Sequence, residues 1–142
     1  MTEGAIHICS AILCDDYRTE NNGKHILIGV YYPVFSVPNF PTDSNFQMAL
    51  IANIPSGGHF EAQFRLTDHS DDRKMEGKFA FTVDEAGTNV LLPGFPFELQ
   101  MKHSSSLELE VLEPPNVTWR SVGKWRVEKN ETQSDEQLKE TE

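Results

Sequence analysis

The feature that most constrains the fold of this chain is the alternation of apolar and polar residues with a period of two. This alternation recurs along most of the sequence, whereas the spacing of an amphipathic helix is almost absent. Successive side chains of a β-strand point to opposite faces, so the pattern predicts strands with one buried and one solvated face. The segments that show it best are 59–67, 75–83, 95–102, 107–111 and 117–127.

Three earlier segments, 6–13, 25–31 and 46–54, carry aliphatic residues on both faces. Because a strand buried on both faces is apolar throughout, these three are predicted to be the central strands. Turn-forming clusters of Gly, Pro, Asn and Asp separate nearly every pair of strands. About eight short strands joined in this way predict an all-β protein. An antiparallel β-sandwich is favoured over the competing closed barrel or jelly roll.

The composition changes after Val127, which predicts where the folded domain ends. Residues 128–142 contain no aromatic side chain and a single aliphatic one, Leu138. From Lys129 onward, two lysines and five acidic residues give a net charge of −3. Such a segment cannot bury enough apolar surface to offset the entropy lost on ordering. We therefore predict one β-sandwich domain over residues 1–128 and a disordered acidic tail over residues 129–142.

The net charge excludes one class of partner, and the cysteines indicate a compartment. Twelve Lys and Arg against 22 Asp and Glu give a formal charge of −10, whereas nucleic-acid binding needs surplus cations. No apolar run approaches the ~20 residues of a membrane span, and the acidic start does not resemble a secretory signal. Cys9 and Cys14 would lie on opposite faces of one strand, too far apart for a disulfide. The sequence predicts a cytoplasmic protein with two buried thiols and with no nucleic-acid or membrane partner.

The acidic loops are the candidates for a metal site. Asp68, Asp71 and Asp72 crowd one loop, and Asp15 and Asp16 form another pair. Calcium prefers carboxylate and carbonyl oxygens gathered from loops, but no calcium-loop spacing is present. Aspartate is also common in turns because its side chain caps its own backbone. Calcium or small-ligand binding through Asp68, Asp71 and Asp72 is therefore kept as the alternative function, and no cofactor is expected.

The sequence contains no recognisable catalytic motif. Its five histidines are scattered, whereas zinc and iron sites usually show paired spacing. No nucleophile elbow and no glycine-rich phosphate loop occur. We predict that the chain is not an enzyme.

The stretch over residues 31–41 is the most suggestive for binding, because it holds three prolines and four aromatic rings. Prolines cannot donate to a sheet ladder, so this stretch is expected along an edge or between sheets. A second Pro-aromatic stretch lies at 92–97. If exposed, the rings form a recognition patch; if they cover an open end of the sandwich, they belong to the core. We predict a non-enzymatic protein-interaction module whose partner-binding residues are Tyr32, Phe35, Phe40 and Phe95. The sequence does not determine its oligomeric state.

A further group of residues lies between Cys14 and Tyr31. It comprises Cys14-Asp15-Asp16-Tyr17-Arg18, Gly23-Lys24 and Leu27-Ile28-Gly29-Val30-Tyr31. This segment resembles the opening of a bacterial family of small, acidic, all-β proteins known only as a domain of unknown function. The resemblance covers the first third of the chain, implies a bacterial or phage-related cytoplasmic sandwich, and supplies no catalytic residue. Gly29 inside a strand indicates a bulge or the close approach of another backbone or a ligand.

Overall fold

The computed structural model describes residues 6–70 and 72–130. No helix among these residues has the length and apolar character needed to cross a membrane. The described residues form nine strands: β1 (His7–Thr19), β2 (His25–Tyr31), β3 (Val34–Val37), β4 (Thr42–Ile54), β5 (Gly58–Asp68), β6 (Arg73–Val83), β7 (Gly87–Met101), β8 (Ser105–Leu112) and β9 (Arg120–Lys129).

The strands form two sheets, which confirms the predicted all-β sandwich. Sheet A has the order β2-β1-β4-β7, and sheet B has the order β3-β9-β8-β5-β6. Neighbouring strands are antiparallel except β3 and β9, which run parallel, so the sandwich is mixed rather than purely antiparallel. Strand β3 crosses over from sheet A and is not joined to β9 by a hairpin. Its pairing with β9 is therefore not constrained to be antiparallel.

The core lies between the two sheets and is rich in phenylalanine. Phe97 of sheet A packs edge-on against Phe64 of sheet B, with ring centroids 5.6 Å apart, and stacks on Phe46 at 5.5 Å. Phe79 of sheet B stacks on Phe95 of sheet A at 5.1 Å. Burying such a ring is worth ~1.5–3 kcal/mol. These contacts across the sandwich hold the two sheets together.

The prediction of central strands is wrong for one of the three segments. All three belong to sheet A, as β1, β2 and β4, and β1 and β4 are indeed central. However, β2 is the outermost strand, and its Ile26, Ile28 and Val30 are 37%, 43% and 52% exposed. An apolar pattern on both faces therefore does not mean that this chain covers both faces.

Both ends of the last strand, β9, differ in detail from the expectation. Strand β9 begins only at Arg120, so Val117 lies outside it and is 87% exposed. At its other end β9 continues through Lys129, and the amide of Asn130 donates to the carbonyl of Val37 at 2.8 Å. The folded part thus extends two residues into the predicted tail. The rest of that tail, residues 131–142, lies outside the described residues.

The two cysteines are unpaired, as predicted, but only one is buried. Cys14 is fully buried, and this burial, together with the Asp15 carboxylate, raises the pKa of its thiol. Cys9 is exposed, which corrects the prediction for this residue. The pairing register of β1 with β4 shifts between Ile8 and Ser10, and this irregularity turns Cys9 to solvent.

Candidate interaction surface

The predicted recognition patch is not a single surface. Of its four residues, only Tyr32 is exposed, at 88%. Phe35 is 3% exposed and stacks on Tyr31, with ring centroids 4.5 Å apart. Phe40 is half-buried against the core. Phe35 is therefore a core residue rather than a partner-binding one, because β3 directs its ring between the sheets.

The second Pro-aromatic stretch also contributes to the core. Phe95 is half-buried, and its ring lies 5.1 Å from Phe79 and 6.0 Å from Phe81 of the opposite sheet. Its environment is that of a residue that closes one side of the sandwich. The aromatic rings of the two Pro-aromatic stretches thus pack mainly into or against the core. Tyr32 is the exception and is an isolated exposed ring.

The outer faces of the two sheets differ sharply in chemistry. On sheet B most outward residues are charged or polar, although Ala80 and Leu112 also lie on this face. Arg65 and Glu110 form an ion pair with an N–O distance of 3.0 Å, and His69 lies 2.9 Å from the carboxylate of Glu108. Along β6 the exposed residues include two lysines and a glutamate. Sheet B therefore presents an ordinary solvated surface.

Part of the outer face of sheet A is aliphatic, beside polar residues such as Asp16, Arg18 and Gln47. Phe46, Met48 and Leu50 of β4 point into the core, so Ala49 and Ile51 point to the opposite face by the alternation of a strand. Ala49 is fully buried although it does not belong to the core cluster. Neighbouring side chains on the same outer face must cover it.

The pairing registers show which residues share this face. Ile12 lies opposite Ala49, Cys14 lies opposite Val30, and Ile51 lies opposite Leu91. Ile51 lies opposite Ser10 and Ile26 lies opposite Arg18, so the two ends of this face are eight residue steps apart along β1, or about 27 Å at ~3.4 Å per residue. We name it the outer apolar band; it consists of Ile12, Cys14, Ile26, Ile28, Val30, Ala49, Ile51 and Leu91. The apolar pattern on both faces of β1, β2 and β4 is the sequence signal of this band, although that pattern alone predicts complete burial.

A polar network marks the end of the outer apolar band on β1. Asp16 pairs with Arg18 at 2.7 Å, and this contact lowers the pKa of the Asp16 carboxyl. The same carboxylate accepts from the amide of Tyr17 at 2.9 Å and from the side chain of Gln47 at 3.3 Å. Both charges next to the band are thus compensated locally.

Asp15 explains the glycine inside β2. The hydroxyl of Tyr31 donates to the Asp15 carboxylate, and burial together with Asp15 raises the pKa of Tyr31, which keeps it a neutral donor. Gly29 has a φ of +67°, and a Cβ added there would lie 2.2 Å from Oδ2 of Asp15. The close approach predicted for Gly29 is therefore that of a side chain from the neighbouring strand, not of a backbone or a ligand.

The candidate calcium ligand Asp68 serves a structural role. Its side chain is 2% exposed; Oδ1 accepts from the amide and hydroxyl of Ser70 at 3.0 and 2.8 Å and from the hydroxyl of Ser105 at 2.6 Å. Oδ2 accepts from Arg73 at 2.9 Å. Burial alone would raise the pKa of Asp68, but these hydrogen bonds outweigh it and lower the pKa. Both oxygens are thus engaged within the protein.

The other two calcium candidates add no ligand set. Asp72 is exposed and has a φ of 56°, and Asp71 lies outside the described residues. Within 6–70 and 72–130, no group of three or more His, Cys, Asp or Glu side chains could hold a metal ion. Calcium binding through this loop stays a prediction, without support from the geometry of Asp68.

A second buried carboxylate, which the sequence pattern did not single out, joins the sheets. Glu113 is 2% exposed and accepts from the amide of Ile8 at 2.5 Å and from Arg120. Arg120 also donates to the carbonyl of Ile8 at 2.6 Å. This group fixes the first residues of β1 against sheet B. Ile8 lies more than 100 residues from both Glu113 and Arg120 along the chain. No local sequence motif therefore reveals this group of contacts.

Among the clefts on the described part of the sandwich, two are lined mainly by apolar surface. One of about 610 Å³ lies at the end of sheet A, between His7, Ile54 and Thr88. A smaller one of about 250 Å³ lies beside Leu66 and Leu99. Asp68 lines the smaller cavity, but its oxygens are already engaged. Neither cavity contains the predicted partner-binding residues.

Comparison with known proteins gives no relative from which a function could be transferred. The chain matches no family model, and no curated protein matches it. The resemblance of residues 14–31 to a bacterial family stays a prediction. Any function of this chain therefore has to be inferred from its own residues.

Proposed function

We propose that the protein is a non-enzymatic protein-interaction module that binds its partner through the outer apolar band of sheet A. The observation that carries this proposal is the contrast between the two outer faces. Sheet B exposes ion pairs and charged side chains, whereas sheet A exposes Ile26, Ile28 and Val30. On that outer face Val30 lies opposite Cys14 of β1, and Ile28 and Ile26 lie opposite Asp16 and Arg18. Exposed apolar side chains grouped in this way mark interaction sites in soluble proteins.

The chemistry of the band defines the partner. The band is about 27 Å long at ~3.4 Å per residue, and it is aliphatic rather than aromatic. It therefore fits a protein surface that offers aliphatic side chains over a similar length. The chain carries a formal charge of −10, so a partner with a basic rim around that surface is favoured by electrostatic complementarity. Covering the band releases water from apolar area at ~25 cal/mol per Å².

The location is part of the same proposal. We expect the interaction to take place in the cytoplasm of a bacterium, where thiols stay reduced. Two features support this: Cys9 and Cys14 are both unpaired, and Cys9 is exposed.

The test is a comparison of three chains as bait in their own cells, with mass spectrometry of the proteins retained. Ile51→Lys places a charge at the end of the band that Ile51 and Leu91 form, and Gln63→Lys places the same charge on the exposed outer face of sheet B. We expect the wild type and Gln63→Lys to retain the same stoichiometric partner and Ile51→Lys to retain at least tenfold less. Equal retention by all three chains would contradict the proposal.

The Ile51 variant should fold, since Ile51 is only partly buried and the aliphatic stem of a lysine can lie along the sheet. A thermal melt of each variant checks this point. If Ile51→Lys melts like the wild type and still loses the partner, the loss reports on the surface and not on the fold.

A further inference from the structure

The four sheet edges differ in their protection against the addition of another strand. The sheet orders make β2 and β7 the edges of sheet A, and β3 and β6 the edges of sheet B. Strand β6 exposes an alternating row of Lys74, Glu76 and Lys78. Charged residues along an edge are one of the devices by which proteins block strand pairing.

Prolines protect two more edges. Strand β7 contains Pro93 and Pro96, and neither residue has an amide to donate to a neighbouring strand. Strand β3 is only four residues long and lies between Pro33 and Pro38. Short edge strands and edge prolines both disfavour pairing with another chain.

Strand β2 has no row of charges, no proline and no short length to protect it, and its one residue with a positive φ is Gly29. Its seven residues, His-Ile-Leu-Ile-Gly-Val-Tyr, include no proline, no carboxylate, no lysine and no arginine. In the described part of the chain β2 pairs with β1 alone, which leaves its other side without a sheet neighbour. Its exposed side chains are those of His25 and of three aliphatic residues, Ile26, Ile28 and Val30. A strand of this kind is a template for pairing.

We propose that a second copy of this chain occupies the edge of β2, and that the two β2 strands pair antiparallel about a two-fold axis at Ile28. The spacing of the aliphatic residues is symmetric about this position. Ile28 lies opposite Ile28 of the partner subunit, and Ile26 lies opposite Val30 of the partner subunit. All six aliphatic side chains then form one continuous stripe, and each cross-strand pair is apolar.

The charges of the chain favour this register over other contacts between copies. Two chains of charge −10 repel each other, yet β2 brings no carboxylate to the contact. The nearest acidic residues on the same face are Asp16 and its copy, each paired with Arg18. They are separated by three strand spacings, or ~14 Å, which exceeds the Debye length of ~8–10 Å.

The ends of the paired strands are also complementary. In this register Lys24 lies opposite Tyr32 of the partner subunit. Tyr32 is 88% exposed in the single chain and forms no part of its core. A lysine beside an aromatic ring is a favourable cation–π arrangement. This contact gives a role to the one exposed ring of the stretch over residues 31–41.

The pair of chains would form one eight-stranded sheet with both outer apolar bands on the same side. This inference goes beyond the proposed function, since the edge and the face are used by different neighbours. A dimer would present the band twice to its partner and thereby raise the avidity of binding. The dimer can exist without the partner, and the partner can bind a single chain.

The register is tested by disulfide cross-linking of the full chain with Cys9→Ser and Cys14→Ala, which removes both native thiols, because Cys14 lies opposite position 30 of the same chain. Directly opposite Cα atoms lie ~4.5–5.5 Å apart in an antiparallel pair, within the range of a disulfide. Ile28→Cys should therefore cross-link with itself under mild oxidation. Ile26→Cys should not, since its two copies are four residues out of register, or ~13 Å apart. A mixture of Ile26→Cys and Val30→Cys should cross-link. Equal cross-linking in all three samples would show random collision and overturn the proposal.

The state of the unmodified chain is tested by sedimentation. We expect a mass twice the 16.1 kDa of one chain. Ile28→Lys and Ile28→Glu should each be monomeric, and their mixture should again sediment as a dimer, because the register places the two substituted positions opposite each other. Thr82→Lys on the protected β6 edge is the control and should leave the wild-type mass unchanged. A wild-type monomer at ~1 mM would overturn the dimer, whereas the proposed function would fail only if Ile51→Lys kept the partner.

Discussion

Replacing Asp68 with Asn separates the structural role of this residue from the predicted metal role. The amide keeps the shape of the side chain, and its carbonyl oxygen can still accept from Ser70 and Ser105. Its NH₂ group, however, faces the guanidinium of Arg73, which lies 2.9 Å from the carboxylate in the wild type. A donor then faces a donor at a site where the Asp68 side chain is 2% exposed.

The expected loss is ~3 kcal/mol in the free energy of unfolding. Breaking a buried ion pair costs ~3–5 kcal/mol, and the lower end applies because the Arg73 side chain is 32% exposed and can regain water. In a chain of this size the loss corresponds to a fall of ~6–12 °C in melting temperature. Asp84→Asn, at an exposed carboxylate, is the matched control and should change stability by less than ~0.5 kcal/mol.

The effect of Asp68→Asn should depend on pH in a defined direction. The pKa of Asp68 is lowered in the folded chain, so the folded state favours the carboxylate. This contribution to stability is complete well above the unfolded pKa of ~3.9 and is lost as the pH falls through the lowered folded value. Urea unfolding at several pH values should show the full difference at pH 7 and a shrinking difference in acid.

Two results would refute this reasoning. One is a difference between wild type and variant that stays the same in acid as at pH 7. The other is a melting temperature of the wild type that rises in millimolar calcium relative to chelator, with the rise lost in Asp68→Asn. A ligand at a hundred times its dissociation constant stabilises by ~2.7 kcal/mol, so the second result would restore the calcium alternative.

Two further predictions concern single side chains, each measured by thermal or urea unfolding. Phe35→Ala should cost ~3–5 kcal/mol because a buried ring is lost, whereas Tyr32→Ala should cost less than ~0.5 kcal/mol; similar losses would mean that the two rings share one environment. Gly29→Ala should cost at least ~2 kcal/mol, because its positive φ is strained for alanine and its Cβ displaces Asp15. Gly23→Ala, at φ +85° with open space around it, should cost only the backbone strain, and equal losses would remove the role of Asp15.

The strands of sheet B could be predicted from sequence because their alternation of apolar and polar residues allows only one face of each strand to be buried. Strand β5 alternates buried Phe60, Ala62 and Leu66 with polar residues, and only one register buries the first set. In sheet A the pattern is ambiguous. Ile12 and Ile51 occupy the outward positions of central strands, and Ile28 occupies one of an edge strand. Periodicity alone does not say whether such a face is covered by this chain or by another molecule.

The burial of the predicted partner-binding residues depends on how the chain crosses between the sheets, which the local sequence does not contain. Tyr32 and Phe35 are three residues apart in one Pro-rich stretch, yet one is 88% exposed and the other 3%. The difference arises because the chain leaves sheet A after β2 and enters sheet B at β3. Asp68 similarly depends on Ser105, which lies 37 residues away. Local composition does not contain these distances.

The central claim is that the outer apolar band of sheet A is the face that another protein covers. The most direct measurement is photo-cross-linking in the chain's own cells, with a photoreactive amino acid at position 51 in one chain and at position 63 in another. Ile51 lies on the band, and Gln63 lies on the charged outer face of sheet B. The account predicts a cross-linked adduct of one defined partner mass from position 51 and none from position 63. Adducts of equal yield from both positions, or none from position 51, would contradict it.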